Sequence, residues 1–87
     1  RLELADAHVD TLTALIAAGA VQGNTVSAKA LSTFMQVDLD LVCENLDELA
    51  QAGLVKLDRI ALRSAPKDWQ NTVTPTGVRC LYQLGKR

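Results

Sequence analysis

The chain has 87 residues, of which 48% are hydrophobic and 22% charged, a composition typical of one small globular domain and not of a disordered segment. Its formal net charge of −1 gives no overall attraction to nucleic acid, for which a basic balance is usual. No apolar stretch approaches the roughly 20 residues of a membrane span, and no signal peptide pattern opens the sequence. These properties predict a cytoplasmic protein without membrane association, organised as a single domain over 1–87.

The first half of the chain predicts three helices. Apolar residues recur at three- and four-residue steps from about 4 to 20, which is typical of an amphipathic helix, and Gly19 supplies a turn that ends it. Ser27 is expected to cap a second helix over 28–35. The apolar face of that second helix is expected to comprise Ala28, Leu31, Phe34 and Met35.

A brief break at Gln36 and Val37 separates the second helix from a third, expected over 38–52. Asp38 is the candidate N-cap of this third helix, and Gly53 is placed to end it in the left-handed conformation. The 3.6-residue period puts Val42, Leu46 and Leu49 on its buried stripe.

The second half of the chain predicts a β-hairpin over about 54–74, followed by a short helix over about 75–84. Its strands are expected over 54–63 and 71–74, with a turn around Pro66. Thr25 and Val26 could add one rung to this sheet. Thr74 is the candidate cap of the last helix, with Pro75 at its first position, where a missing N–H costs least.

This order of elements resembles the winged helix-turn-helix of the MarR, ArsR and PadR regulator families. The segment SAKALSTFMQVDLDLVCENLDELAQAGLVKLD is similar to their second and third helices, and its Leu49, Gly53, Leu54 and Val55 match the ending Leu-x-x-x-Gly-Leu-Val. VTPTGVRCLYQL resembles the helix that follows the wing in the MarR and PadR families. The implied fold class is α+β, mostly α: a three-helix core, a β-hairpin wing and a short C-terminal helix.

The resemblance implies the DNA-binding domain of a prokaryotic or phage-type transcriptional regulator. In such families the third helix enters the major groove and the wing contacts phosphates or the minor groove. These regulators usually work as dimers on two half-sites. The first and last helices are the candidate surfaces of such a homodimer.

The outer face of the predicted third helix is acidic, which disfavours insertion into a DNA groove. With about 100° of rotation per residue, five side chains lie between about 140° and 240° from Val42. No Lys or Arg occurs from position 38 to 52 to offset repulsion by phosphates. The five residues are Asp40, Glu44, Asp47, Glu48 and Gln51.

The two parts of the chain carry opposite charges. Residues 1–54 contain two basic and eight acidic residues, a net charge of −6, whereas residues 55–87 contain seven basic and two acidic residues, a net charge of +5. Contacts with duplex DNA are therefore expected to be led by the wing. The candidate DNA-binding residues are Arg59, Arg63 and Lys67, assisted by Lys29, Arg79 and Gln51.

An alternative is that the domain no longer binds DNA and acts as a protein-interaction or assembly module. In that case the third helix would meet a basic protein partner. The surface expected to make this contact comprises Asp40, Glu44, Asp47, Glu48 and Leu41. The opposite charges of the two parts also suit head-to-tail self-association.

Catalytic, cofactor and metal sites find little support in the sequence. His8 is the only histidine and is expected to be a partly exposed helical side chain without a matched nucleophile. Cys43 and Cys80 lack CxxC spacing, which favours two reduced thiols. Asp40 and Glu44 could share a divalent ion only with further ligands. No enzyme activity, cofactor or metal is therefore predicted.

Overall fold

The structure is a computed structural model, and it describes residues 4–58 and 70–85. Its helices are α1 (Asp6–Ala17), α2 (Ala28–Met35), α3 (Leu39–Gln51) and α4 (Pro75–Gly85). Its strands are β1 (Val26–Ser27), β2 (Val55–Asp58) and β3 (Gln70–Val73). The predicted turn at Pro66 and the outer part of the predicted first hairpin strand lie outside the described residues.

The three strands form one antiparallel sheet in the order β1-β3-β2. Val55 and Lys56 of β2 pair with Val73 and Thr72 of β3, and Val26 of β1 pairs with Asn71 on the other side of β3. The short segment before α2 therefore adds a rung to the sheet, as its sequence suggested, although the strand comprises Val26 and Ser27.

Ser27 connects the sheet directly to the helix-turn-helix. It is the last residue of β1, and its side-chain oxygen accepts a hydrogen bond from the Ala30 amide at 3.1 Å, which caps α2 as predicted. α2 ends at Gln36, which adopts a left-handed conformation, and the Ser32 hydroxyl donates to the Val37 carbonyl at 2.6 Å. These local bonds stabilise the tight turn into α3.

α1 and α3 end in the same way. Gly53 has φ of +78°, the left-handed conformation expected at the end of α3, and the Leu54 amide donates to the Leu49 carbonyl at 3.0 Å, which completes a Schellman motif. Gly19 has φ of +87° and allows the equivalent bond from Ala20 to Leu15. Because Gly19 ends the helix, α1 stops at Ala17, three residues before the predicted end.

One expected cap is wrong in its mechanism. Asp38 occupies the N-cap position of α3, but its side chain makes no capping hydrogen bond. By contrast, the Thr74 hydroxyl accepts from the Gly77 amide at 3.0 Å and donates to the Gly53 carbonyl at 2.8 Å. Thr74 therefore caps α4 as predicted and also joins it to the end of α3.

The core lies between α1, α2, α3 and the inner side of the sheet. It is aliphatic, and its largest fully buried apolar side chains are Leu12, Leu15, Leu31, Leu46, Leu49 and Val42. Phe34 does not join it: its side chain is 57% exposed. At 100° per residue Phe34 lies about 90° away from the direction shared by Ala28, Leu31 and Met35, so its placement on the apolar face of α2 was wrong.

Candidate functional site

The outer face of α3 presents the acidic side chains that the helical period placed there. Asp40, Glu44, Asp47 and Gln51 are all exposed, and Glu48 is half-buried at the edge of the same face. Leu41 lies beside them with 46% of its surface exposed. We call Asp40, Leu41, Glu44 and Asp47 the acidic face of α3. Its position on the solvent side confirms the predicted helix orientation.

Gln51 is already engaged within this face. Its side-chain amide donates to Asp47 Oδ2 at 2.8 Å. A glutamine amide can read an adenine edge only by offering both its donor and its acceptor. Because one N–H of the amide is engaged with Asp47, a bidentate contact with a base would use the second N–H together with the amide oxygen.

The acidic face carries an energetic cost. Asp40 and Glu44 are four residues apart, as are Glu44 and Glu48, and like charges at this spacing destabilise a helix by about 0.2–0.5 kcal/mol per pair. Asp40 stands in the first turn, where the helix dipole favours an acid, but Glu44 has no such compensation. The composition of this face is therefore not explained by the stability of α3.

His8 makes a contact with Glu48 that the sequence did not predict. The side chain is only 7% exposed and not partly exposed as expected, because α1 packs it against α3. Its Nδ1 accepts from the Ala5 amide at 3.1 Å, so the ring proton of neutral His8 resides on Nε2, which lies 3.1 Å from Glu48 Oε1. Glu48, predicted only as part of the acidic face, is thus held by α1.

Cys43 lies on the side of α3 that turns towards the sheet. Burial raises the pKa of its thiol, and the nearby Asp40 carboxylate raises it further. Together with Glu44, Asp47, Leu46 and Leu57 it lines a small cavity of about 310 Å³ between α3 and the sheet. Cys43 and Cys80 are both free, and a thiol held in its neutral form is a poor nucleophile.

The candidate DNA-binding cations are not gathered at one place within the described residues. Lys29 is exposed on α2, and Arg79 is exposed on α4. Arg59, Arg63 and Lys67, which carry the predicted wing contact, lie outside the described residues. Arg79 instead shares a groove with Lys56, a basic residue of β2.

This groove has a volume of about 990 Å³. It lies between the end of α1, the sheet and α4, and Ile16, Val21 and Val78 form apolar parts of its lining. We call it the α4 groove. Sequence periodicity could not find it, because its walls come from segments about 60 residues apart in the chain.

The described part of the chain contains neither a group of side chains that could hold a metal ion nor a membrane-spanning helix. Within residues 4–58 and 70–85, no three His, Cys, Asp or Glu side chains are grouped so that they could hold a metal ion. Among the helices of these same segments, none combines the length and apolar character needed to cross a membrane.

The elements and their connections define a winged helix-turn-helix. Solved structures with the same fold include a MarR mutant from E. coli complexed with operator DNA, with a TM-score of 0.75 and 18% identity. BpsR from Bordetella bronchiseptica, whose DNA binding is regulated by 6-hydroxynicotinic acid, has a TM-score of 0.74 and 19% identity. Each comparison covers 97% of this chain but only 55% of the other protein.

A third similar structure matches over its full length. It is a candidate DNA-binding protein from Ralstonia eutropha, with a TM-score of 0.74 and 23% identity over 94% of this chain and 98% of that one. No protein-family model matches the sequence, and neither does any curated protein. At these identities the likeness shows the MarR-type winged-helix fold, as the sequence motifs predicted.

Proposed function

We propose that this chain is the winged-helix DNA-binding domain of a prokaryotic or phage-type transcriptional regulator that acts in the cytoplasm. The observation that carries the proposal is the match of nearly the whole chain to MarR in complex with operator DNA. DNA is contacted mainly by the wing, because the acidic face of α3 would be repelled by phosphates in the major groove.

The wing supplies the positive charge that α3 lacks. Arg59, Arg63 and Lys67 contact phosphates, and Lys29 and Arg79 on α2 and α4 assist them at the edge of the interface. Each phosphate neutralised by a cation releases counterions, so the logarithm of affinity falls with the logarithm of salt by about 0.9 per contact. Three wing contacts give a slope of about −2.7.

The test is a salt titration of binding to generic duplex DNA. Wild type is compared with a wing variant carrying Arg63→Ala and Lys67→Ala, and with a control carrying Arg1→Ala and Lys86→Ala, which removes the same net charge elsewhere. We expect the salt slope to fall by about two in the wing variant and by much less in the control. Absence of binding at low salt, or equal slopes in the two variants, would refute the proposal.

A second function is favoured by the acidic face itself. α3 exposes three carboxylates and a leucine with no cation among them, a surface suited to a basic protein partner. The contact would involve Asp40, Glu44, Asp47 and Leu41, while Glu48 contributes less because His8 already holds it. If this second function is correct, the variant Asp40→Lys with Glu44→Lys should no longer bind the basic protein but should keep its fold. If the variant still binds the protein, the acidic face serves only to keep α3 solvated.

A further inference from the structure

The acidic face of α3 and the α4 groove are both exposed to solvent, and their properties are complementary. We infer that the acidic face of one copy of this chain docks in the α4 groove of a second copy, forming a head-to-tail contact. This inference deepens the second function proposed above, because it names the basic partner as another molecule of the same protein.

The apolar parts of the two surfaces match. Leu41 projects from the acidic face with 46% of its surface exposed, although its own helix contributes several fully buried residues to the core. The groove presents Ile16, Val21 and Val78, and Val78 is itself 41% exposed. Burying Leu41 against these residues would remove exposed apolar surface on both molecules, which is the main favourable term in association.

The charged parts of the two surfaces match as well. Lys56 and Arg79 are exposed at the groove, and neither has a carboxylate within 4.0 Å among the described residues, where His8–Glu48 is the only such pair. Asp40 and Glu44 flank Leu41 along α3. With Leu41 in the groove, the two carboxylates can approach the two cations, and the repulsion within α3 is relieved by the same contact.

The contact has to form between molecules. The groove is lined by residues of α1, its following loop, β2, β3 and α4, with none from α2 or α3. Each copy therefore carries the acidic face and the α4 groove on separate parts of its surface. A pair of molecules joined in this way still has one free acidic face and one free α4 groove, so further copies can bind. The assembly stops growing only if the rotation between successive copies closes a ring.

Analytical ultracentrifugation over a protein concentration series, at low and high salt, tests the inference. We expect wild type to form species larger than a dimer at low salt and to revert to monomer at high salt, since screening shortens the reach of exposed charges to about 10 Å at 0.1 M. Two variants are expected to weaken association by about tenfold or more on their own: Asp40→Lys with Glu44→Lys, and Lys56→Glu with Arg79→Glu.

Mixing the two variants is the decisive step. Their reversed charges are complementary to each other, so the mixture should regain the association that each variant has lost. A variant that merely failed to fold could not be rescued in this way. Leu41→Ala serves as the uncharged counterpart and should weaken association without changing its dependence on salt.

Five results would overturn the inference. A monomer at every concentration and low salt would do so, as would a closed dimer that neither charge reversal affects, which would point instead to the first and last helices. Variants that are not rescued on mixing would refute the pairing of the two surfaces. Saturation of the groove by a small aromatic acid, without any self-association, would assign it to a ligand. Binding of the acidic face to an unrelated basic protein by a chain that stays monomeric would refute self-docking but leave the second proposed function intact.

Discussion

The inner and outer faces of α3 differ in what determines their residues. On the inner face Val42, Leu46 and Leu49 are at most 2% exposed and pack in the aliphatic core. On the outer face Asp40 and Glu44 are exposed, and their spacing opposes helix stability. One side of the helix is therefore explained by packing within the chain, and the other has to be explained by something outside it.

The largest expected effect lies on the inner face. Leu49→Ala removes a fully buried side chain and should lower the free energy of unfolding by about 2–5 kcal/mol. Asp47→Ala, on the opposite side of the same helix, should change it by less than about 0.5 kcal/mol. Urea denaturation of both variants measures the difference, and similar losses in the two would abolish the distinction between the faces.

A second substitution probes the packing at the end of α3. A Cβ added to Gly77 would collide with the Leu54 carbonyl oxygen and approach Val73 Cγ1 to 2.8 Å. Gly77→Ala should therefore destabilise the fold by about 1–3 kcal/mol. Thr76→Ala is the matched control, because Thr76 is exposed in the same turn of α4. A thermal melt of Gly77→Ala that coincides with that of the control would disprove the close approach.

His8 and Glu48 mark one border between the two faces. Removing His8 with His8→Ala leaves the Ala5 amide and Glu48 without their partner, and the expected loss of stability is about 1–2 kcal/mol. A double-mutant cycle with Glu48→Gln measures how much of this loss belongs to the pair. Strict additivity of the two substitutions would mean that the pair contributes nothing to the free energy of unfolding.

A substitution on the outer face of α3 should increase stability instead of decreasing it. Glu44→Lys replaces repulsion by attraction to Asp40 and Glu48 and should raise the free energy of unfolding by about 0.5–1 kcal/mol at low salt. The gain should shrink as salt is added, because these charges are exposed. Glu44→Gln, which removes the repulsion without adding an attraction, should give about half of the gain in the free energy of unfolding. A destabilised Glu44→Lys variant would show that Glu44 has a structural role.

The smallest expected effect concerns Cys43, at the other border. Since the pKa of its thiol is raised in the folded state above the ordinary value of 9.0, the unfolded chain loses this proton first as the pH increases past 9.0. The contribution of Cys43 to stability is full below that pH and is lost as the pH rises towards the folded pKa. Cys43→Ala should flatten the decline in stability at alkaline pH, as measured by denaturation at several pH values.

Local rules account for what the sequence predicted correctly. The bounds of α2, the left-handed conformation of Gly53 and the cap at Thr74 all depend on residues a few positions apart, and the 3.6-residue period orients α3. Because each of these depends on adjacent residues, one sequence is enough to locate them. The exposure of the acidic face follows from the same period.

Contacts between distant segments account for what was missed. His8 meets Glu48 across 40 positions, and nothing around His8 distinguishes it from an exposed helical histidine. The α4 groove appears only when the end of α1 is set beside α4, and Gly77 gains its steric role only because Leu54 lies above it. The roles of the wing cations remain predictions, because they lie outside the described residues.

Ser27 has a consequence for how the domain moves. It belongs to the strand paired with β3 and also caps α2, so no linker separates the wing's sheet from the first turn of the helix-turn-helix. A displacement of β3 is therefore transmitted to α2 through one residue, Ser27. We expect β3 and the first turn of α2 to move together, because Ser27 belongs to the strand paired with β3 and also caps α2.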